Sequence, residues 1–270
     1  YSQSDGIARV LHATNPAQYV RTGFVSQGRL IEHAVGEQGA LKVSSDSHHS
    51  WIELDDAGNA KGSDCDNITG RVALRFRNGR GIVLAVFPGY VGTVISDSDQ
   101  VVTVNYTPSF GSANFQEFTS CAGEIEERHK QVALASQRGT FSIDSTTFND
   151  AAAFVRADAA ADPTLSIYLS YAYARAGKFA AVNEVSALMS RRGQSVPFDV
   201  AMLAAQGSRT FPTELPGMPM LTQGWLMLGA HETTLPEALK QARQFLVPSL
   251  WATFSPDGMS ILEQYIQKKD

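Results

Sequence analysis

The chain has 270 residues, of which 43% are hydrophobic, so it is long enough for one large domain or two ordinary ones with a substantial core. Lys and Arg total 22 and Asp and Glu total 27, which gives a net charge of −5. This balance argues against a nucleic-acid partner, because affinity for nucleic acid depends largely on basic side chains. No apolar run reaches the roughly 18–20 residues that a membrane-spanning helix needs, so we expect no membrane partner.

The chain has two cysteines, Cys65 and Cys121. So few cysteines in a chain of this length favour two thiols in a cytoplasmic protein, and a secreted protein with a Cys65–Cys121 disulfide is the alternative. The chain begins at Tyr1 and not at Met. We therefore expect a fragment or a processed product of a longer protein.

Residues 1–115 are predicted to form an antiparallel β domain. The clearest signal is "GRVALRFR", "NGRG", "IVLAVF", where Asn78 and Gly79 separate two apolar runs and predict a hairpin. Val72, Leu74 and Phe76 recur with a period of two, as on the buried face of a strand. The pair "VGTVISD" and "VVTVNYTP" repeats the plan. The many β-branched residues favour a sandwich or a small barrel.

Residues 116–144 are predicted to connect this domain to the next by a helix and a strand. Helix-forming residues run from Ala122 to Gln137, and "TFSID" follows as a candidate strand. Residues 145–270 are predicted to be helical throughout, with one irregular break at "GSRTFPTELPGMP". Pro163 opens a helix at the position where proline is tolerated. The fold class is therefore α+β.

The stretch "DPTLSIYLSYAYARAGKF" is a helix that is apolar on most sides. Leu165, Leu169, Ala172 and Ala176 follow helical spacing, and three tyrosines widen the apolar surface. Such a helix must lie between neighbours, so we expect its tyrosines in the core and not in a reactive cleft. Gly177 ends it, and a second helix runs to Gly193 to form a helical hairpin.

This region, about residues 163–250, resembles the tetratricopeptide repeat. Pro163 and Pro197 are 34 residues apart, which is the period of that repeat. The residues at the repeat's large, small, aromatic, turn-glycine and aromatic positions are Leu169, Ser170, Tyr173, Gly177 and Phe179. A second, weaker match places Trp225, Leu228 and Gly229 on a first helix and Phe245 on its partner. The resemblance implies helix pairs that bind proteins.

A broader similarity covers about residues 60–250. The segments "DPTLSIYLSYAYA", "DVAMLA" and "MLTQGW" resemble the non-catalytic accessory region of bacterial multidomain proteins that carry caspase-like or trypsin-like protease domains. This resemblance implies an accessory module that senses or presents partners for a protease.

One pair of residues resembles a catalytic pair. Caspase-like peptidases need a cysteine nucleophile, a histidine that takes its proton, and backbone donors for the oxyanion. Cys121, in "TSCAGE", and His49, in "SDSHHSW", would be that pair. His49 precedes Ser50 where the family has glycine, and the segment before Cys121 is too polar for a central buried strand. We therefore expect no catalytic residues and keep Cys121 and His49 as the alternative.

A second set of residues could bind a metal. "GSDCDN" and "SDSHH" bring oxygen, sulfur and nitrogen ligands close in sequence, with His48, Cys65 and Asp66 as the candidate ligands and His49 and Asp64 beside them. The spacing typical of zinc sites is absent, and adjacent histidines point to opposite faces of a strand. We expect a solvated turn and no metal. The chain also lacks the G-x-S-x-G and nucleotide-binding glycine motifs, so we expect no cofactor.

Met218, Met220, Trp225, Met227 and Trp251 are predicted to lie in the core, although methionine-rich surfaces also bind varied partners. The amphipathic "SILEQYIQKKD" is expected to cap the helical stack. Together these patterns predict a non-catalytic protein-binding or regulatory module. The broader resemblance implies that this module is part of or partner to a larger protease-associated protein. Its partner would be a protein, with a protease domain as one candidate. The alternative is a caspase-like cysteine-dependent hydrolase.

Overall fold

The computed structural model describes residues 22–54, 70–97, 100–137, 162–208, 217–230 and 235–268. Within these ranges the chain is a mixed α+β structure with two β-sheets and eight helices. The strands are β1 (Thr22–Gln27), β2 (Ile31–Gly36), β3 (Gly39–Ala40), β4 (Ser44–Ser45), β5 (His49–Leu54), β6 (Arg71–Phe76), β7 (Gly81–Ala85), β8 (Tyr90–Asp97), β9 (Gln100–Pro108), β10 (Leu246–Val247) and β11 (Thr253–Phe254). The helices are α1 (Phe115–Ser120), α2 (Ala122–Gln137), α3 (Pro163–Arg175), α4 (Phe179–Arg191), α5 (Phe198–Ser208), α6 (Thr222–Ala230), α7 (Glu237–Arg243) and α8 (Pro256–Gln267).

The first sheet has the strand order β4-β5-β1-β8-β9, and the second has the order β10-β11-β7-β6-β2-β3. Buried side chains of both sheets and of the helices form one continuous hydrophobic cluster. Members of this cluster include Phe24 and Val104 from the first sheet, Leu74 and Leu84 from the second, and Trp225 from α6. The sheets and helices therefore share a core.

The predicted hairpin at Asn78 and Gly79 is confirmed. β6 and β7 pair antiparallel, with Val72 opposite Leu84, and Gly79 has a φ of +80°. Glycine adopts a positive φ with little strain, which explains why this residue lies in the turn of the hairpin. The second predicted pair is also present, because β8 and β9 are antiparallel from Tyr90 opposite Pro108.

One strand pairing differs from the expected antiparallel arrangement. β1 and β8 pair in parallel, with Phe24 opposite Gly92. The two strands are separated in sequence by strands of both sheets, so no tight turn forces them to run in opposite directions. A Cβ at Gly92 would lie 2.6 Å from the Phe24 ring, which explains the glycine at this close approach. Local patterns carry no signal for such a pairing.

The C-terminal section is not helical throughout. β10 and β11 form a short hairpin whose β11 pairs antiparallel with β7, with Thr253 opposite Ile82. α8 packs against β2, β6 and β7 of the same sheet. The expectation that this last helix caps the helical stack is therefore wrong in part. α8 also contacts α7, but its apolar side covers a sheet.

The helix boundaries follow the sequence signals closely. α2 spans the predicted Ala122–Gln137. α3 begins at Pro163, and the carboxylate of Asp162 caps it by accepting the N–H of Leu165. The helix ends at Arg175, before Gly177 takes a φ of +70°. α1, by contrast, corresponds to none of the helices that the sequence patterns predict.

The central expectation about the tyrosine-rich helix is confirmed. Every residue of α3 from Pro163 to Tyr173 is buried. Tyr168, Tyr171 and Tyr173 are each exposed by 3% or less. Trp225 and Trp251 are fully buried as well, and Met218 and Met220 are buried with them, so these four residues of the predicted cluster are core. Met227 is only partly buried and packs against that core.

Phe245 does not lie on a helix, because α7 ends at Arg243, and the second match to the tetratricopeptide register is incomplete for that reason. The "TFSID" strand and the helix predicted before Pro163 lie outside the described residues.

Candidate functional site

The adjacent histidines lie in a turn that leads into β5. Asp46 Oδ1 accepts the N–H groups of His48 and His49, each at 2.7 Å. These two bonds, His48 first, lower the pKa of the Asp46 carboxyl. Nδ1 of His49 is 3.4 Å from the same oxygen, whereas Nδ1 of His48 is 2.6 Å from the hydroxyl of Ser47. The two rings therefore serve different partners, as in an Asx-type turn.

Cys121 lies between α1 and α2, and its side chain is buried. The thiol donates to the carbonyl oxygen of Glu117 at 3.1 Å, with the carbonyl of Phe118 at 3.6 Å. A catalytic cysteine needs access to solvent and a base or cation that stabilises the thiolate. These two partners of Cys121 are backbone carbonyls, and neither is a base or a cation.

The structure does not bring Cys121 and His49 together. His49 lies on β5, whereas Cys121 ends the helix α1, which packs against β9. β1 and β8 lie between β5 and β9, so these two strands are about 14 Å apart. Each residue has its hydrogen-bond partner in its own neighbourhood. The geometry gives the pair no shared reaction centre.

The candidate metal ligands are described only in part. His48 and His49 belong to the turn above, whereas Asp64, Cys65 and Asp66 lie outside the described residues. The set His48, Cys65 and Asp66 therefore stays a prediction, as does the Cys65–Cys121 disulfide. Within the described ranges, no three His, Cys, Asp or Glu side chains are grouped so that they could hold a metal ion.

The hydroxyls of the tyrosine-rich helix point to partners inside the protein. Tyr168 accepts the indole N–H of Trp251 at 2.9 Å, and the two rings meet edge to face with centroids 5.9 Å apart. Tyr171 donates to Asp199 Oδ1 at 2.7 Å. Burial raises the pKa of both phenols, so they stay protonated at neutral pH. They fix the position of α3 in the core.

Asp199 connects three parts of the helical region. Besides the Tyr171 hydroxyl, its carboxylate accepts the N–H groups of Met220 at 2.9 Å and of Leu221 at 3.3 Å. Burial raises its pKa, although these donors act in the opposite direction. The group therefore links α3, α5 and the segment before α6 through hydrogen bonds, each of which uses a carboxylate oxygen.

A polar group of five residues joins β8, α1 and the end of α4. We call it the junction cluster, and it consists of Tyr90, Asn114, Glu117, Arg192 and Gln194. The Tyr90 hydroxyl accepts from the amides of Asn114 at 2.9 Å and Gln194 at 2.6 Å, and Arg192 Nη1 is 2.6 Å from Glu117 Oε1. Burial raises the pKa of Tyr90. No sequence motif predicts the cluster, because its residues come from three segments that are far apart in the chain.

A buried ion-pair geometry links α2 to the start of α3. His129 Nε2 is 2.9 Å from Asp162 Oδ2, and the Asp162 side chain is fully buried. The other oxygen of Asp162 caps α3, so the same carboxylate fixes the beginning of the helix and its neighbour. The pair positions helices, and it lies between elements and not in an open cleft.

One surface feature also escaped the sequence patterns. Among the described residues, the exposed large hydrophobic side chains are Phe110, at 78%, and Leu226, at 64%. Phe110 meets Phe115 edge to face with ring centroids 5.4 Å apart. Glu124 and Glu127 are exposed on α2, which is separated from α1 by one residue, Cys121.

In the described parts of the chain, no helix combines the length and the apolar character that spanning a bilayer requires. Comparisons with known proteins found no matching family model, no similar curated protein and no similar solved structure.

Proposed function

We propose that this chain is a non-catalytic protein-binding or regulatory module, part of or partner to a larger protease-associated protein. The observation that carries the proposal is the packing of α3, which contacts both α4 and α5. In tetratricopeptide arrays the first helix of each unit packs against its own partner and against the first helix of the next unit. α3, α4 and α5 have the corresponding contacts.

The residues at the helix contacts support the same interpretation. Ser170 is fully buried on α3, where a small side chain lets a neighbouring helix approach closely. Its hydroxyl donates to the Ser166 carbonyl at 2.8 Å, so the polar group is satisfied within the helix. Gly177 provides the positive φ of the turn into α4. The incomplete second unit around Phe245 limits the tetratricopeptide-like region to about one and a half repeats.

The β region supplies the cover that a short helical array needs. About three repeats are usually required for independent stability. Here Thr164 of α3 bonds to β9, and α8 lies on the second sheet. We propose that the two sheets form the N-terminal sandwich or small barrel of the sequence interpretation, with the helices presented to a protein partner.

Affinity capture with the full chain from the cells that produce it tests the proposal. We expect one enriched protein that binds again, with a measurable Kd, when both components are purified. The same preparation should leave Cys121 unlabelled by a thiol-directed probe until the protein is unfolded, as judged by mass spectrometry. Failure to recover any partner, together with labelling of folded Cys121, would favour the cysteine hydrolase.

A further inference from the structure

We draw no further inference here: the strongest candidate, the aromatic surface patch formed by the exposed Phe110 in the loop before α1 and by Phe115 at the start of that helix, carries none because nothing in the described part of the chain shows what would cover it.

Discussion

A single hydroxyl connects the helical region to the edge of the first sheet. Thr164 Oγ1 accepts the N–H of Tyr106 at 3.1 Å and donates to the carbonyl of Val104 at 3.0 Å. These two backbone groups belong to β9, the last strand of its sheet, where the next strand would otherwise bind them. The fully buried Thr164 hydroxyl therefore satisfies two backbone groups that a neighbouring strand would otherwise bind.

We predict that Thr164→Val lowers the free energy of unfolding by about 1–3 kcal/mol, because it leaves a buried donor and a buried acceptor unsatisfied at nearly unchanged volume. Chemical denaturation measures the change. Thr164→Ser keeps the hydroxyl and should retain most of the stability. Equal stability of the valine variant and the unchanged protein would show that the two hydrogen bonds contribute nothing.

A second residue makes the stability of the protein depend on pH. Burial raises the pKa of Asp199 in the folded state above its ordinary value of about 4 in the unfolded chain. As pH rises, the unfolded chain loses this proton first, so the contribution of Asp199 to the free energy of unfolding falls between the two pKa values. Above the raised pKa the loss is complete.

We therefore predict that the unchanged protein loses free energy of unfolding relative to Asp199→Asn as pH rises from about 4 through the raised pKa. The asparagine cannot ionise, so it removes this pH dependence, although it also loses one acceptor for the N–H groups of Met220 and Leu221. Denaturation at several pH values measures the difference. A difference that stays constant over this pH range would contradict the assigned direction.

At the scale of single residues, the sequence predicted burial better than it predicted partners. The tyrosines of α3 follow helical spacing, and this local pattern was enough to place them in the core. The partners of their hydroxyls were not predictable, because Asp199 and Trp251 lie 28 and 83 residues away from Tyr171 and Tyr168. The exposure of Phe110 was equally hidden, since nothing nearby in sequence indicates what covers a ring.

Among the elements, α8 is the one whose position departs most from the sequence expectation. Its Glu263 forms a two-point ion pair with Arg75 of β6, with Nε at 2.8 Å and Nη2 at 2.7 Å. Arg75 alternates with Leu74 and Phe76, so the alternation alone predicts a solvated face for it. Instead α8 covers that face, which explains why Ala73 is fully buried.

We predict that Glu263→Gln destabilises the protein by about 1–2 kcal/mol, because it removes the charge from a largely buried two-point pair. Glu37→Gln is the matched control. Its pair with Arg71 has one contact at 3.1 Å and is more exposed, so the expected loss is below about 1 kcal/mol. Denaturation of both variants at low and high salt measures the difference. Similar losses would show that α8 is held on the sheet by its apolar side alone.

Elements with local signals were predictable, and elements defined by distant contacts were not. Asn78 and Gly79 mark a turn, and Pro163 marks a helix start, so the β6–β7 hairpin and α3 followed directly from the sequence. The parallel pairing of β1 with β8 depends on strands far apart in the chain. β10 and β11 have only two residues each, too few for an alternating pattern to appear.

At the scale of the whole molecule, one core contains residues from both ends of the described chain, from Phe24 of β1 to Ile266 of α8. Phe254 of β11 lies opposite Gly81 of β7, and Met259 of α8 lies so close to Gly81 that an added Cβ would be 2.7 Å from its methyl carbon. Thr164 makes a second connection at β9. The division of the chain near residues 115 and 144 stays a prediction, but these contacts cross it.

We predict that the fragments 1–144 and 145–270 do not unfold cooperatively on their own, whereas the whole chain unfolds in one transition. Separation would expose the edge of β7 and the apolar side of α8, and the remaining helices would have too little buried surface to offset the entropy of folding. Thermal melts followed by circular dichroism compare the fragments with the whole chain, and mixing the two fragments provides the control. Mixing should restore part of the transition, since the contacts between them are non-covalent. A sharp transition in fragment 145–270 alone, close to the melting temperature of the whole chain, would mean that the helices form an independent domain.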